Sequence, residues 1–510
     1  MRVAAAPANR WEGSGGGVRP GAVALGALTA TTALVVGLFT FAGLGLVLAG
    51  VCLALALAIV VWRCPLAGML ALVVLGTAHE LLMLLLYHFT GSGLVVKLAQ
   101  IWKEAIVAVL LLRVVELAFR RRAAPRLHLL DLLIVLFLAY ATLYVAYPSS
   151  VEDSSLFSKV MGLRADTAFL LAYFVGRGVT VRVRDVRALL LAFYAAAAVT
   201  SVAAAAQFVA PDAANALFNA VGFQEYLTFQ RGDFSVVNAV RSNEIAGTVI
   251  PRASSLFLSD LGLAFYCMLA VPLSAALFFT ARGVKARLVG DGLTLAMVAT
   301  TALTVTRSAM LALGPLLALV TIRAVAPVPA ALLLLQLALG AALVGLRVGL
   351  TPSLLQSMFS LDEGSAQGHL AALDESVRLL REQPLGRGLG TAGQIAQRLI
   401  SSGGVTNESW YLQIATEMGI AAALLFLAIT TLLVVVSLVQ FGRVRDRWLR
   451  SLCLGMAGAA VGYGLVSATL HAWENLTISI VFWLFAGLTV RARAIEGAGT
   501  GEVDADRRLA

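Results

Sequence analysis

The sequence predicts an all-α polytopic membrane protein, and three observations carry that prediction. Hydrophobic residues make up 60% of the 510 residues, whereas charged residues make up only 13%. The mean hydropathy is strongly positive, which is typical of chains that fold in a bilayer. Apolar runs follow one another along the chain and arginines stand between them, as in proteins whose orientation is set by basic loops.

About 20 apolar residues cross a bilayer as an α-helix, and on this rule the chain contains about 14 predicted spans. A cleaved signal peptide is the alternative interpretation of the first apolar run. We disfavour it because apolar segments continue to Val61, without the short core and small-residue cleavage site of such a peptide. The predicted spans lie near residues 21–40, 43–61, 66–90, 98–119, 129–147, 160–178, 188–209, 256–280, 288–306, 308–323, 328–347, 409–440, 451–470 and 475–490.

Basic residues predict the orientation of these spans, because cytoplasmic loops carry the excess of Lys and Arg. With a cytoplasmic amino terminus, the basic turns fall inside and the long connections 148–158, 210–255 and 348–408 fall outside. The predicted organisation is a cytoplasmic arm (1–20), N-terminal spans with the outer loop 210–255 (21–255), further spans (256–347), a large outer loop (348–408), C-terminal spans (409–490) and a cytoplasmic tail (491–510).

Charge and cysteine content exclude other classes. The net charge of +10 does not indicate a nucleic-acid partner, because the arginines stand at the ends of apolar runs. The four cysteines have no CxxC spacing, so they predict neither a zinc site nor a disulfide framework and are interpreted as packing residues. The outer segments contain no Asp-rich run typical of a metal site.

Several ionisable residues fall within predicted spans, where each needs a partner or a wet cavity. Arg113 and Glu116 have i,i+3 spacing and are predicted to form a structural ion pair. A proton relay through His79 and Glu80 is the alternative role for such residues. It is disfavoured because adjacent residues point to different faces of a helix.

Arginines on the predicted outer side run against the orientation rule and therefore indicate an anionic ligand. Arg252 immediately precedes a span, and Arg307 lies in a tight turn between two spans. The planar guanidinium group suits bidentate contact with phosphate. For Arg231 and Arg241, solvated loop charges are an equal alternative.

The loop 348–408 carries the densest group of polar residues. Leu370, Leu373, Val377 and Leu380 recur at helical spacing and Pro384 follows, so residues 369–383 are predicted to form an amphipathic helix. The glycine-rich turn 386–390 is predicted to present backbone N–H groups and Arg387 to phosphate oxygens. It is not a Walker loop, since the GK[ST] ending is missing. Glu408 then opens the next apolar run beside Trp410.

Three segments resemble the O-antigen ligase and polymerase family of bacterial inner-membrane proteins. They are Thr306-Arg307-Ser308, Pro384-Leu385-Gly386-x-Gly388-x-Gly390, and Glu408-Ser409-Trp410-Tyr411-Leu412-Gln413-x4-Met418-Gly419. The resemblance extends from about Arg252 to Leu488, whereas the first half matches in hydropathy alone. The family's pattern has His-Asn where this chain has Glu408-Ser409, and the family's ligases use that His in catalysis. Many members carry an Arg where this chain has His369.

The resemblance implies a metal-independent inverting glycosyltransferase of C-type fold that needs no cofactor, with 348–408 as its periplasmic catalytic loop. The donor would be a glycan on undecaprenyl diphosphate and the acceptor a sugar hydroxyl, with membrane lipids and other polysaccharide assembly proteins as partners. The predicted catalytic residues are Glu408 and His369. The predicted diphosphate ligands are Arg252, Arg307 and Arg387, and the candidate acceptor contacts are Trp410, Trp473 and Glu474.

Replacement of the ligase-type His by Glu408 favours polymerisation of lipid-linked repeat units into O-antigen or exopolysaccharide. Two alternatives stay open beside it. A ligase would transfer finished chains to a lipid or other acceptor, and a flippase or other transporter would move lipid-linked glycan without changing its length. Transporters tend to place ionisable residues near mid-membrane in repeated halves, and no internal repeat is seen here. A membrane scaffold without activity is the remaining alternative.

Overall fold

The structure is a computed structural model that describes residues 44–121, 127–231, 238–245, 248–324, 327, 330–336, 364–401, 403–405 and 407–498. The chain divides into two units after Cys64. In the first unit, the helix α1 (Leu44–Arg63) exposes Leu55, Leu57 and Ile59. Such an apolar outer surface is typical of a helix that faces lipid. The predicted span at 21–40 lies outside the described residues.

The second unit is almost entirely helical. Its helices are α2 (Pro65–Thr77), α3 (His79–Thr90), α4 (Gly93–Ala99), α5 (Trp102–Arg121), α6 (Leu129–Leu143), α7 (Leu156–Thr167), α8 (Leu171–Gly178), α9 (Val183–Val209), α10 (Pro211–Ala220), α11 (Phe223–Arg231), α12 (Asp260–Thr280), α13 (Val284–Leu303), α14 (Arg307–Ala324), α15 (Gly364–Glu382), α16 (Gly393–Leu399), α17 (Trp410–Met418), α18 (Ile420–Arg443), α19 (Arg447–Val466) and α20 (Leu476–Val490). One antiparallel hairpin joins β1 (Arg241–Ile245) to β2 (Thr248–Arg252).

Six helices of the described residues, α9, α12, α13, α14, α18 and α19, are long and apolar enough to cross a membrane. The number rises to at most eight when two pairs of helices, each interrupted by a short break, are counted as single spans. The fold class of a mostly helical, multi-pass membrane protein is therefore confirmed. The described residues do not confirm 14 spans, and most of the predicted span at 328–347 lies outside them.

Three predicted spans are wrong as continuous helices. The run at 66–90 forms α2 and α3, with a break at Ala78. The run at 160–178 forms α7, a 3-10 turn over Ala168–Leu170, and α8. The run at 409–440 breaks at Gly419, whose φ is +84°, into α17 and α18. Prediction of spans from runs of about 20 apolar residues misses these breaks. A single residue that ends a helix hardly changes the apolar character of the whole run.

The helix α12 lies at the centre of the second unit and is almost completely buried. It packs against α19, where small residues let the two backbones approach. A Cβ atom added to Gly455 would lie 2.7 Å from the Leu273 Cα, and one added to Gly458 would lie 2.7 Å from the Pro272 Cβ. Outward-facing residues such as Leu311 and Leu424 are 62% and 60% exposed, as expected beside lipid.

The ionisable residues near α3 and α5 form structural contacts. The predicted ion pair between Arg113 and Glu116 is confirmed. The His79 Nδ1 accepts a hydrogen bond from the Trp102 Nε1 at 3.1 Å, whereas Glu80 accepts one from the Tyr226 hydroxyl at 3.2 Å. The Lys103 Nζ also contacts the His79 Nε2 at 3.2 Å, so both side chains have structural contacts, which favour the structural interpretation over a relay.

Candidate functional site

The amphipathic helix predicted at 369–383 is confirmed as α15, which ends before Pro384. Its inner side reaches α17 through a short polar bridge. The Ser376 hydroxyl donates to the Asn407 Oδ1, and the Asn407 Nδ2 donates to the Thr416 Oγ1 at 3.1 Å. This bridge fixes α15 against the segment that leads to α18.

The glycine-rich turn is folded in a way that only glycine adopts readily. Gly386, Gly388 and Gly390 have φ values of +88°, +106° and +74°. The N–H groups of Arg387 and Gly388 donate to the carbonyl oxygens of Thr416 and Glu417, at 2.8 Å and 3.0 Å. The prediction that these N–H groups face a phosphate is therefore wrong, because the end of α17 already accepts them.

Two tyrosines at the end of α6 hold this turn from the other side. The Tyr140 hydroxyl donates to the Met418 carbonyl oxygen at 2.9 Å, and the Tyr144 hydroxyl donates to the Leu385 carbonyl oxygen at 2.6 Å. A groove of about 410 Å³ lies beside the turn. It is lined by residues 147–150 and 383–386, including the partly exposed Tyr147.

Two buried carboxyl groups meet beneath the turn. Asp166 of α7 is fully buried and faces Glu417 of α17, which is 1% exposed. The Ala392 N–H donates to the Glu417 Oε1 at 3.0 Å. In the part of the chain that the structure describes, no Lys, Arg or His forms an ion pair with either carboxyl group. Two neighbouring buried carboxylates cannot both be ionised without a cation, so the pair holds a proton.

Burial is the main cause of the altered titration of this pair, both members of which lie outside the six spans. It raises the pKa of Glu417 to about 7, although the side chain of Asp166 and the backbone N–H groups of Ala392 and Gly390 oppose the rise. Burial and the neighbouring Glu417 carboxyl raise the pKa of Asp166 well above its ordinary value. Burial thus raises the pKa of both carboxyl groups, so the pair keeps a proton that two exposed carboxyl groups would lose.

A third carboxyl group, Glu474, lies next to this pair, and its Oε2 atom is buried. It is partly exposed, and its Oε1 accepts a hydrogen bond from the Gln413 Nε2 at 2.7 Å. Burial raises the pKa of Glu474, while the charge of His471 opposes the rise. A Cβ atom added to Gly393 would lie 2.7 Å from the Glu474 Oε1, so the glycine leaves room for this contact. In the described residues these carboxyl groups do not form a metal-binding group.

An aromatic core supports the carboxyl groups. Trp410 and Trp473 are both fully buried, and each packs against Phe169 and Phe426. The backbone N–H of Trp410 donates to the Ser467 carbonyl oxygen at 3.0 Å, which joins α17 to the end of α19. The two predicted acceptor contacts, Trp410 and Trp473, therefore offer no open face to a sugar in this structure, whereas Glu474 is partly exposed.

Two of the three arginines predicted to bind diphosphate, Arg252 and Arg307, come together near the ends of α12, α13 and α14. Arg252 pairs with the buried Asp260, and its Nε donates to the Thr304 carbonyl oxygen at 2.9 Å. Burial lowers the pKa of Arg252 and Asp260 opposes this, while the charges of Arg241 and Arg307 add to the lowering. Arg241 stands opposite Arg252 in the hairpin. Three guanidinium groups thus share one electrostatic environment, and Asp260 balances part of their charge.

The backbone around these arginines is strained. Ser255, Leu258 and Val305 have φ values of +50°, +50° and +52°, a region that side-chain-bearing residues rarely adopt. Val305 lies two residues before Arg307. Strain of this kind persists where the surrounding structure holds it, and it clusters at functional sites. The hydroxyl group of Ser255 is used within the protein, since its Oγ donates to the Thr200 carbonyl oxygen at 2.8 Å.

The arginine group and the carboxyl groups lie at the same end of the helices. Gly262, in the first turn of α12, is so close to Asn475 that an added Cβ atom would lie 3.2 Å from the Asn475 Nδ2. Asn475 directly follows Glu474, and Asp260 of the same helix turn pairs with Arg252.

The remaining predicted residues occupy different positions. Glu408 is partly exposed and precedes Ser409, the residue that caps α17. The structure describes the backbone of His369 in α15 but not its side chain. Arg387 is half-buried; burial lowers its pKa, and Glu375 and Glu382 of α15 oppose that effect. Arg387 therefore lies beside α15, whereas Arg252 and Arg307 share another environment.

Sequence reasoning missed Asp166, Glu417 and Gln413. One signal was present, because Asp166 lies within the predicted span 160–178, where an ionisable residue needs a partner. Its partner, Glu417, is too distant in the sequence to be recognised by spacing.

The fold and the site define the class as an all-α, multi-pass membrane protein with an arginine group and a carboxyl group at one end of its helices. Residues 292–427 match the family described as O-antigen ligase. The resemblance seen in the sequence is confirmed over this range, which includes Arg307, the glycine-rich turn and α17. The match indicates an activity of the O-antigen ligase type. No curated protein sequence matches the chain.

Proposed function

We propose that the chain is an inner-membrane glycosyltransferase that polymerises a glycan carried on undecaprenyl diphosphate, at the periplasmic face. The observation that carries the proposal is the O-antigen ligase match over 292–427, because it covers both the arginine turn and the loop. The mechanism is inverting and needs no metal. The acceptor hydroxyl oxygen bonds to the anomeric carbon, the bond from that carbon to the phosphate oxygen breaks, and undecaprenyl diphosphate leaves.

Arg307 and Arg252 bind the departing diphosphate in this proposal. Fixed guanidinium groups stabilise the negative charge that develops on the leaving oxygen, and they need no reorganisation during the reaction. The shared environment of Arg241, Arg252 and Arg307 supports this role. Arg387 would contact the donor from the opposite side of the loop.

Glu408 accepts the proton of the acceptor hydroxyl, and His369 positions the donor phosphate or shares that proton. Glu408 takes the place of the family's His in the motif, and its partial exposure leaves it open to substrate. The buried pair of Asp166 and Glu417 has a structural role in this proposal. Through the Ala392 N–H it holds the turn that connects α15 to α16.

The glycan would lie along the groove beside the glycine-rich turn. Its lining combines an aromatic ring, Tyr147, with the hydroxyl and amide groups of Ser150 and Gln383. Sugars combine apolar faces with hydroxyl groups, so such a mixed surface suits them. Glu474, which is partly exposed, is the candidate acceptor contact among the three predicted from the sequence.

A ligase is the second candidate function, and the description of the matching family favours it. Deletion of the chain in its native cell, followed by gel analysis of lipid-linked glycan, separates the two. A polymerase predicts that single repeat units accumulate, whereas a ligase predicts that long undelivered chains accumulate. Unchanged lipid-linked glycan would contradict both functions.

The orientation is tested with a reporter that is active only in the periplasm. A fusion near Gly403 is expected to be active and a fusion after Arg447 silent, because the loop 348–408 is placed outside and the turn before α19 inside. The opposite result would put the proposed site on the cytoplasmic face and contradict the proposed donor.

A further inference from the structure

A second group of arginines surrounds a cavity at the other end of the same helices. The cavity has a volume of about 210 Å³ and is lined by Arg282, Arg445, Arg447 and Arg450, together with Phe279, Thr280, Ala324 and Phe441. This volume corresponds to roughly seven water molecules, so a small anionic group fits. None of the four arginines belongs to the family motifs or to the proposed transfer site.

The cavity is far from the proposed transfer site. The helix α18 begins at Ile420, beside the glycine-rich turn, and ends at Arg443, near the cavity. Its 24 residues make it about 36 Å long at 1.5 Å per residue. The helices α12 and α14 likewise run from the Arg252 and Arg307 end to Thr280 and Ala324 at the cavity. The cavity therefore lies near the opposite membrane surface, which the basic turns assign to the cytoplasm.

In the part of the chain that the structure describes, the positive charge of the cavity is not compensated by ion pairs, although Asp446 and Glu496 lie close by. Among the described residues, no carboxylate forms an ion pair with Arg282, Arg445, Arg447 or Arg450. The two nearby carboxylates accept backbone hydrogen bonds instead. Asp446 caps α19 through the N–H groups of Trp448 and Leu449, and Glu496 accepts from the N–H groups of Arg445 and Asp446.

Aromatic rings hold two of the guanidinium groups in place. Arg450 lies over the Phe441 ring at 4.4 Å from its centroid, and Arg447 lies over the Trp448 ring at 5.3 Å. Such contacts orient an arginine without removing its charge. The cavity thus presents fixed donors whose planar geometry matches phosphate oxygens.

Apolar surface continues beside the cavity into the membrane. Ile322, in the last turn of α14, is 76% exposed, and Val439, in the last turns of α18, is 42% exposed. A ligand with a phosphate group and acyl chains can therefore place its phosphate among the arginines and its chains along these helices. Basic pockets between spans on the cytoplasmic side are known to bind anionic lipid headgroups.

We propose that this arginine cavity binds the phosphate group of an anionic phospholipid of the cytoplasmic leaflet. The chemistry that it recognises is a phosphate ester, and the apolar helix ends select a lipid over a soluble phosphate. The site is independent of the proposed transfer reaction, so it stands even if that reaction is different.

The experiment uses the full chain purified in detergent, with phosphatidylglycerol, phosphatidylcholine or inorganic phosphate added. The Tm and the phospholipid retained in native mass spectra are measured. Phosphatidylglycerol should raise the Tm and remain bound, because a ligand that binds the folded state stabilises it. The variant Arg282→Gln/Arg445→Gln should lose both effects. These two side chains are exposed and make no aromatic contact among the described residues, so the fold should be kept.

The matched control is Arg443→Gln/Arg493→Gln, which removes the same charge from exposed positions that do not line the cavity. This control should respond to phosphatidylglycerol as the unchanged protein does. Loss of the response in both variants would mean that general surface charge binds the lipid, and the cavity would be overturned as a site. If inorganic phosphate alone raises the Tm, the cavity binds soluble phosphate, and the proposal that its ligand is a lipid is overturned. If the unchanged protein does not respond to phosphatidylglycerol, the proposal is overturned.

Discussion

Arg307 is the residue on which the donor-binding proposal depends most. It begins α14 two residues after Val305, whose φ is positive, and its charge acts on Arg252. Lysine keeps the positive charge but loses the planar fork that contacts two phosphate oxygens.

We therefore expect Arg307→Lys to lower the transfer rate at least about tenfold, because a fixed donor to a developing oxyanion is lost. The measurement is the rate of glycan extension at matched membrane abundance. The control is Arg323→Lys, which changes an exposed arginine at the other end of α14 and should leave the rate unchanged. Full activity in Arg307→Lys would reduce Arg307 to an orientation signal.

The proton acceptor is tested by comparing Glu408→Gln with His369→Ala. General base catalysis is typically worth about 10²–10⁴-fold in rate, so Glu408→Gln should abolish detectable transfer at normal expression. His369→Ala should weaken transfer less severely. The reverse ranking would exchange the two roles, and full activity in both variants would remove the loop from the mechanism.

The carboxyl pair predicts how stability depends on pH. The folded pKa of Glu417, about 7, is higher than its ordinary value of 4.5. The protonated Glu417 carboxyl group therefore stabilises the folded state fully below about pH 4.5. This stabilisation is lost as the pH rises through about 7. Glu417→Gln keeps an oxygen for the Ala392 N–H but cannot ionise.

The Tm of Glu417→Gln should thus fall less than that of the unchanged protein between about pH 5 and about pH 8. Thermal unfolding of both proteins across this range checks the difference. Glu408→Gln serves as the comparison in the same segment. Parallel curves for Glu417→Gln and the unchanged protein would show that Glu417 does not titrate with folding.

At the scale of elements, the glycine-rich turn is the feature on which the loop is built. Gly390 has a φ of +74°, and an added Cβ atom would lie 2.4 Å from the Ser158 carbonyl oxygen. Gly390→Ala should therefore lower the free energy of unfolding by more than about 2 kcal/mol, from backbone strain and the clash together.

The control for this substitution is Gly292→Ala, in α13, where no atom lies within 4 Å of an added Cβ. It should leave stability unchanged or raise it by up to about 1 kcal/mol, since alanine favours a helix. Equal stability of the two variants in thermal unfolding would contradict the packing of α7 against the turn.

The sequence was sufficient for elements whose pattern is local. The amphipathic spacing and Pro384 located α15, and the apolar run at 256–280 located α12. Hydropathy failed where a helix breaks inside an apolar run, as at Ala78 and Gly419, because one residue hardly changes an average over the run.

The candidate site was predictable only where a local pattern marks a residue. Residue type and position singled out Arg252 and Arg307 one at a time, and the structure brings their charges together. The meeting of Asp166 with Glu417 depends on how α7 packs beneath the loop, which no local pattern contains. The burial of Trp410 likewise depends on the end of α19.

At the scale of the whole molecule, the two ends of the helices carry different chemistry. One end combines the arginine group, the carboxyl groups and the groove, whereas the other end holds the arginine cavity. Glycan transfer and lipid recognition would thus take place on opposite faces of the membrane.

Reconstitution of the purified chain into vesicles with a fluorescent glycan on undecaprenyl diphosphate tests the central proposal most directly. The proposal predicts that the glycan grows into a ladder of longer lipid-linked chains, without added metal, and that Arg307→Lys and Glu408→Gln do not produce the ladder. A glycan that keeps its length while it crosses the bilayer would contradict the proposal and identify a transporter.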